Sequence, residues 1–557
     1  MSHPGARTAT WRVLNLPLEL DEPESVLRAR AAARAGLAVD EIRGLRLGHM
    51  ALDARRRGAR GRVRFVVHVD LQLDAGLESQ GNAAFGKALR SGRVIPRMPP
   101  AQLAVESPHI SLRGGSASGP RVAVVGSGPA GLFAALALAR SGVLVDLIDR
   151  GPVLTERSRA VAQFLGTRNL DPEANLLYGE GGAGTYSDGK IYTRVDHALE
   201  APILDEWIAC GAPEEIAYDA RAHIGTDRLH RILPRIREGM EALGVRFHWR
   251  TRLEGWVVDG QAGSQRVRAL RTSAGELPCA AVFLALGHSA RDSLDTLAAQ
   301  GLMLAPKPFQ LGVRIEHPQG LIDAARFGEA TLARRLGAAY YSLTSRAGAG
   351  AAAAHSFCMC PGGQIVASVN ETGLLCTNGM SNSRHSSPHA NAALVTTLGS
   401  SETGPGVFAG IDYRERLERK FFVEGGGDWT APAQRACDFL AGQDSEELVS
   451  CSYKMGIRPG RIDALLPESV RGALGRALEY FDRQIPGYAG PEALLVGIES
   501  RSSGAIRMPR DEATRRAAGF TNLYPVGEGA GYAGGIMSAA IDGARSAHAL
   551  LEQGSGD

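Results

Sequence analysis

The residues best placed to do chemistry are three glycines, Gly126, Gly128 and Gly131, in RVAVVGSGPAGLFAALALARSGVLVDLIDR, Arg121–Arg150. Val122 to Val125 predict a short buried strand, and the G-x-G-x-x-G spacing follows it directly, with Pro129 and Ala130 opening a helix. In that setting the first glycine makes a tight turn, the second lets backbone approach a pyrophosphate, and the third lets helix pack on strand. The helix N-terminus adds positive potential for the phosphates. Leu144 to Ile148 predict a second strand, and Asp149, followed by Arg150, stands where a carboxylate accepts hydrogen bonds from an adenosine ribose. A dinucleotide is the expected ligand.

A second glycine turn lies near the other end, in NLYPVGEGAGYAGGIMSAAIDG, Asn522–Gly543. Leu523 to Val526 predict a strand, but no acid-terminated strand follows the helix, so this is not another complete nucleotide unit. It resembles the returning segment of one large class of FAD proteins, in which an acid following the strand holds the flavin ribitol; Gly527 turns the chain and Glu528 stands at that position. Gly534, Gly535 and Ile536 then open a helix whose N-terminus faces the pyrimidine end of a reduced flavin. Between the two segments, GEGGAGTYSDGK (Gly179–Lys190) supplies backbone N–H groups at Gly181, Gly182 and Gly184, with Thr185, Ser187 and Lys190 as further donors. Lys190 draws notice because the chain has 57 arginines and only five lysines. Gly287 ends a further apolar run, Ala280–Leu286, that predicts a strand returning to the same sheet.

These two segments, with GEGGAGTYSDGK, HIGTDRL (His223–Leu229), LALGHSARD (Leu284–Asp292), KPFQLGVRIEHPQ (Lys307–Gln319), SFCMCPGGQIV (Ser356–Val366), NGMSNSR (Asn378–Arg384) and ESRSSGAIRMPR (Glu499–Arg510), make the sequence resemble the bacterial NAD(P)/FAD-dependent oxidoreductases known as uncharacterised FAD-dependent dehydrogenases. The resemblance implies FAD and redox chemistry, and names no substrate. The expected fold is α/β: a Rossmann-type, glutathione-reductase-like FAD-binding domain with a single dinucleotide unit, a mixed α+β substrate domain and a small N-terminal α+β domain. The boundaries expected are 1–112 for the N-terminal domain, 121–300 and 495–557 for the two parts of the FAD domain, and 301–494 for the substrate domain.

Within the substrate domain Gln310–Glu316 alternates, so a strand would put Gln310, Gly312, Arg314 and Glu316 on one face. Arg314 and Glu316 then become candidates, with Lys190, to clamp and protonate a substrate over the flavin; a structural ion pair is the plainer alternative. His355, Cys358, Cys360 and Cys376 raise a metal or dithiol reading. The C-x-C spacing departs from the C-x₂₋₄-C of structural zinc sites, and free cysteine is commonly a small buried hydrophobe. His223 and His288 flank expected turns and are read as structural or cofactor-side groups.

Charged residues at 22% and hydrophobic ones at 44% suit an ordinary globular enzyme of 557 residues. No apolar run predicts a membrane span or a signal peptide, and seven scattered cysteines make no disulfide framework, which points to a bacterial cytoplasm. Residues 1–120 carry a net charge of +7 against +3 for the whole chain, centred on Arg55, Arg56, Arg57, Arg60, Arg62 and Arg64. The cluster lacks aromatics for base stacking, so docking onto the enzyme body or solubility is expected rather than nucleic-acid binding. The reading is an FAD-dependent dehydrogenase or reductase moving a hydride between flavin N5 and a small organic substrate, with NAD(P)H as a transient donor or another reductant in its place. Its rivals are a flavin monooxygenase, an RNA-binding flavoprotein and a flavin-carrying interaction protein without turnover.

Overall fold

The computed structural model describes residues 8–54, 63–76, 82–97, 101–105, 121–193, 195–328, 330–348 and 352–553. It divides into two compact units, Met1–Ala101 with Asp196–His223, and Gln102–Val195 with Ile224–Asp557.

The first unit is an antiparallel sheet in the order Gly44–Asp53, Arg64–Asp74, Thr8–Glu19, Val94–Pro96, with helices Val26–Ala35 and Ala83–Arg90. Alternation on Arg64–Asp74 places Val67, Val69, Leu71 and Leu73 in a core with Val13, Leu27, Ala31 and Phe85. The first helix ends at Gly36, whose φ of 72° is the left-handed C-terminal conformation glycine accepts freely. The strand Gly44–Asp53 was not foreseen, because GLRLGHMALD alternates poorly and all but one of its residues are only half-buried. Residues 196–223 belong here through Met50, whose N–H donates to Tyr218 and whose carbonyl accepts from Ala220 at 2.9 Å. Of the arginine cluster only Arg64 is described; Arg55, Arg56, Arg57, Arg60 and Arg62 lie outside the described residues.

The second unit holds a five-stranded parallel sheet, in the order Leu523–Pro525, Ala281–Leu284, Val122–Val125, Val145–Ile148, Arg246–His248. The three central strands are buried along their whole length, as in a sheet covered on both faces; they are apolar except for Asp146, which is paired with Arg121 at 3.0 Å. Helix Pro129–Arg140 starts with proline in its first turn, and ten consecutive residues of it, Ala130 to Ala139, are buried. The C-terminal helix Ile536–Gln553 crosses it closely: a Cβ on Gly543 would lie 2.0 Å from the Ala130 carbonyl oxygen.

A second sheet of seven strands has the order Thr344–Ser345, Ala354–Cys360, His389–Leu398, Phe309–Pro318, Leu494–Glu499, Ala431–Arg435, Ile457–Pro459. Phe309–Pro318 sits at its centre, buried on both faces, so the expected alternation orients side chains without leaving a solvated face. Pro432–Leu440 reads from sequence as one helix; the structure makes Ala431–Arg435 a strand and turns helical only from Ala436 to Ala441. The strand pairs on both sides, with Leu494–Glu499 and Ile457–Pro459, and that tertiary pairing overrides local helix propensity.

Candidate functional site

Segments from both ends of the chain meet at the edge of the parallel sheet where the strands end. Gly126 has φ 106°, and an added Cβ would lie 2.3 Å from the Ala285 carbonyl oxygen; a Cβ on Gly131 would lie 1.8 Å from that of Gly126. Both are demanded by the protein itself. Gly128 differs: its φ is −70°, and the nearest atom to an added Cβ is the Gly182 Cα at 3.9 Å. Neither conformation nor packing requires glycine there, so the open space in front of it is what glycine preserves.

The 179–187 loop lies over this turn. The Gly181 N–H donates to the Ser127 carbonyl at 3.1 Å, and a Cβ on Gly184 would touch Ile536 at 3.1 Å, which links the loop to the C-terminal helix. Thr185 and Ser187, expected as donors to a ligand, donate instead to the carbonyls of Glu180 at 3.0 Å and Gly184 at 2.7 Å. Asp149 is buried and well used: Oδ2 accepts from the Ser127 N–H at 2.8 Å and its hydroxyl at 2.6 Å, and Oδ1 from Gly151 at 2.8 Å and Gly179 at 3.2 Å. Arg150 pairs with Glu173 at 2.6 Å and Asp292 at 2.9 Å and lies over the Tyr178 ring.

On the returning segment, a Cβ on Gly527 would come within 2.7 Å of the Ala130 Cβ, and one on Gly529 within 2.2 Å of the Gly287 carbonyl oxygen. Glu528 Oε1 accepts from the Gly504 N–H at 2.9 Å, while Oε2 is buried without a partner among the described residues. Burial pushes the Glu528 carboxyl above its usual range, although the Gly504 hydrogen bond and Lys307 oppose the shift. The Cβ position of Gly534 is 3.6 Å from that orphaned oxygen, and Gly534 and Gly535 are exposed at the mouth of the last helix. A buried carboxyl oxygen costs on the order of 1–3 kcal/mol if left unpaired, so it marks where a ligand's polar group belongs.

The three candidate catalytic residues separate. Lys190 Nζ stands 3.0 Å from Asp188 Oδ2, donates to the Met359 carbonyl and lies 3.9 Å from Cys358 Sγ. Arg314 is fully buried; Nη1 donates to Glu499 Oε2 at 2.9 Å, Nε to Asn391 Oδ1 at 3.1 Å, and Nη2 to the Cys358 carbonyl at 2.9 Å. Lys190 and Arg314 thus converge on one pair of cysteines. Glu316 is turned elsewhere: Oε1 accepts from the Ser452 N–H at 2.8 Å, Oε2 from its hydroxyl, and His389 Nδ1 is 3.7 Å away.

Sequence reasoning passed over a buried cluster beside His288. Arg501 donates to Glu418 through Nε at 3.0 Å and Nη2 at 2.7 Å, and the buried Arg414 places Nε 3.4 Å from the same carboxylate while its Nη1 makes no hydrogen bond to the described residues. Burial, then Arg414 and Arg501, lower His288 to about 3, so it is neutral at physiological pH. Glu499 and Arg501 were visible only as letters in ESRSSGAIRMPR, since nothing local shows which charges they meet.

The chain matches the family described as "FAD-dependent protein, C-terminal domain-like" over residues 308–502, and the "FAD binding domain" over residues 120–282. A relative from Clostridium beijerinckii (strain ATCC 51743 / NCIMB 8052), described as an uncharacterized protein, is 35% identical over 549 residues, covering 97% of this chain and 98% of its own. The chain belongs to the FAD-dependent oxidoreductases. Among solved structures, this oxidoreductase is similar to a glycine oxidase from Bacillus cereus ATCC 14579, 12% identical over 78% of this chain and 94% of that one, and to an L-proline dehydrogenase from P. horikoshii, 11% identical over 78% and 93%. Both have a TM-score of 0.30. FAD is the cofactor of this oxidoreductase, and the residues present suit it: an open glycine turn at a helix N-terminus, and an orphaned carboxyl oxygen on the returning segment. Among the described residues no helix is long and apolar enough to cross a membrane.

Proposed function

We propose that this chain is a dehydrogenase or reductase that moves a hydride between FAD and a small organic substrate, on a Rossmann-type, glutathione-reductase-like domain with one dinucleotide unit. Bound FAD supplies the two-electron chemistry; the protein binds, orients and shields. Gly128, Ala130 and Gly131 would present backbone N–H groups to the pyrophosphate, with Gly126 making the turn and Pro129 opening the helix whose N-terminus faces it. Asp149 shares with the adenosine ribose a carboxylate already braced by Ser127, Gly151 and Gly179, and Arg150 is held beside it by Glu173 and Asp292. Gly181 and Gly182 cover the turn, with Thr185 and Ser187 fixing their loop. Gly529 lets the returning segment pack against the backbone of Gly287, and Gly527 lets it pack against Ala130; Glu528 Oε2 would accept from a ribitol hydroxyl, and the helix opened by Gly534, Gly535 and Ile536 would favour negative charge on the reduced ring. Lys190 is the group proposed to meet substrate, while Arg314 and Glu316 position the strand beneath it.

The observation that carries this reading is the buried, unpartnered Glu528 Oε2 beside the open Gly534. Purified wild type should carry a flavin spectrum, and Glu528→Ala should weaken FAD binding about tenfold or more while the far-ultraviolet circular dichroism stays unchanged. Full retention of FAD by that variant would remove Glu528 from the site. Anaerobic bleaching of the flavin by NADH or NADPH tests the transient donor, and an oxygen adduct forming on mixing the reduced protein with air would replace the dehydrogenase reading with monooxygenation.

A further inference from the structure

We propose that Cys358 and Cys360 form a redox-active dithiol that closes reversibly to a disulfide within a single strand, a second two-electron centre in a chain whose first is its flavin. In a regular strand, residues two apart are separated by about 6.6 Å, at the upper end of the roughly 4.4–6.8 Å that a disulfide tolerates between Cα atoms. The strand Ala354–Cys360 is not regular at this point. Its pairing with His389–Leu398 slips between Phe357 and Cys360, and Cys358 takes a φ of 45°, in the left-handed region that a non-glycine residue occupies only when its surroundings enforce it. The resulting curl folds the second thiol back over the first residue: Cys360 Sγ donates to the Cys358 carbonyl at 3.3 Å. Arg314 holds the curl by donating to the same carbonyl at 2.9 Å.

Two cations are trained on the two sulfurs. Lys190 Nζ is 3.9 Å from Cys358 Sγ and Arg314 Nη2 is 3.7 Å from Cys360 Sγ, each cation braced from behind, Lys190 by Asp188 and Arg314 by Glu499. The environment also divides the labour between the thiols. A hydrogen bond from Cys360 holds the Cys358 thiol well below its usual range against the opposing effect of burial, with Lys190 and Arg314 adding to the shift; the same bond and burial hold Cys360 high. Cys358 is half-buried and Cys360 buried, which gives an approachable attacking sulfur and a sheltered resolving one. Cys279 and Cys376 contrast with the pair: they are buried, and burial raises them to about 12 and about 11.

The step is balanced with a low-molecular-weight disulfide such as oxidised glutathione. The Cys358 thiolate attacks one of its sulfurs, the S–S bond breaks, one glutathione thiolate leaves and a mixed disulfide forms on Cys358. Cys360 then gives its proton to the departed thiolate, and its sulfur attacks Cys358 Sγ and expels the second glutathione as thiolate. Two electrons pass from the cysteine pair to the glutathione disulfide, and excess reduced glutathione reverses the sequence.

The test uses the full-length, FAD-loaded protein equilibrated in reduced-to-oxidised glutathione mixtures, quenched in acid, denatured and alkylated, with the peptide bearing Cys358, Cys360 and Cys376 analysed by mass spectrometry. The expected result is a reversible two-electron transition in which Cys358 and Cys360 lose their labels together, with the mass lower by two hydrogens, while Cys376 remains labelled. In the reduced wild type at neutral pH, iodoacetamide should label Cys358 about tenfold faster than Cys437, and Lys190→Met should slow Cys358 about tenfold. If Cys358→Ser and Cys360→Ser fold, neither forms the internal bond; if they do not, the wild-type titration decides alone. Two free thiols at every glutathione ratio, or glutathione remaining on Cys358 beside a free Cys360 thiol, would overturn the proposal.

Discussion

The two sheets of the larger unit handle polarity in opposite ways. In the parallel sheet the buried acid at the glycine turn, Asp149, stands just past the end of its strand and accepts three backbone N–H groups and one hydroxyl, so it shapes loops. In the seven-stranded sheet Arg314, Glu316 and Glu499 lie on the central strands themselves with almost no exposure, each requiring a specific distant partner. The first sheet therefore makes its site from backbone and empty space, and the second from side-chain charge. Backbone sites fail through added volume, whereas charge sites fail through lost partners, and substitutions can separate the two.

The largest effect expected is at Gly131. A valine there drives its Cβ into the Gly126 carbonyl and should cost on the order of 4 kcal/mol or more, seen as loss of soluble folded protein. Gly128→Val, three residues earlier, has room for its Cβ and should keep its melting temperature within a few degrees of the FAD-free wild type while losing flavin by about 100-fold. A Gly128→Val protein that retained its full flavin spectrum would show that the pyrophosphate does not approach this turn.

That contrast also explains what could be read from sequence. Glycine spacing was legible because the constraints on Gly126 and Gly131 come from neighbours a few residues away or from the next strand, and because short apolar runs mark buried parallel strands. The placement of Glu528 just after a strand and a glycine turn was legible for the same reason, since that relation is local, whereas its buried, unpartnered Oε2 was not. The partner of Arg314 was not legible, because Glu499 is 185 positions away and the nearby Glu316 was the obvious substitute. The curl at Cys358 was hidden as well: nothing in SFCMCPGG announces a left-handed cysteine, which appears only when the strand is paired and Arg314 is in place.

Next in size is the buried ion pair. Glu499→Leu leaves the Arg314 guanidinium uncompensated and should cost about 3–5 kcal/mol in urea unfolding, and Arg314→Met combined with it should recover much of that loss. A double variant no more stable than Glu499→Leu alone would mean the cost lies in packing rather than in stranded charge.

A titration effect of similar reach is expected at His317, which is buried, bonds the Tyr488 carbonyl through Nε2 at 2.9 Å, and is lowered by burial from 6.5 to about 4. A lowered histidine pKa means that the unfolded chain binds the proton first as pH falls. Stability from this group is therefore complete above pH 6.5 and lost as pH drops toward 4, by roughly 3 kcal/mol. His317→Gln should flatten the pH dependence of the unfolding free energy by about one proton across that window; an unchanged slope would assign the acid sensitivity to other groups.

The smallest effect belongs to the surface. Arg268 and Asp259 pair at 2.8 Å on the three-stranded sheet with both side chains more than half exposed, and Arg268→Ala should leave the unfolding midpoint within measurement error and flavin content unchanged.

The contact of Gly543 with Ala130 sets a timetable for the chain's birth. The helix that supports the glycine turn, Pro129–Arg140, is made about 400 residues before Ile536–Gln553, the helix that must lie across it. At the usual pace of translation, roughly 5–20 residues per second, the interval is about 20–80 s. Throughout it, the apolar flank of Pro129–Arg140 waits without the neighbour that Gly543 brings within touching distance. The nascent enzyme is thus exposed to chaperones and proteases until the helix Ile536–Gln553 arrives, and a deletion of that helix leaves it in this state permanently.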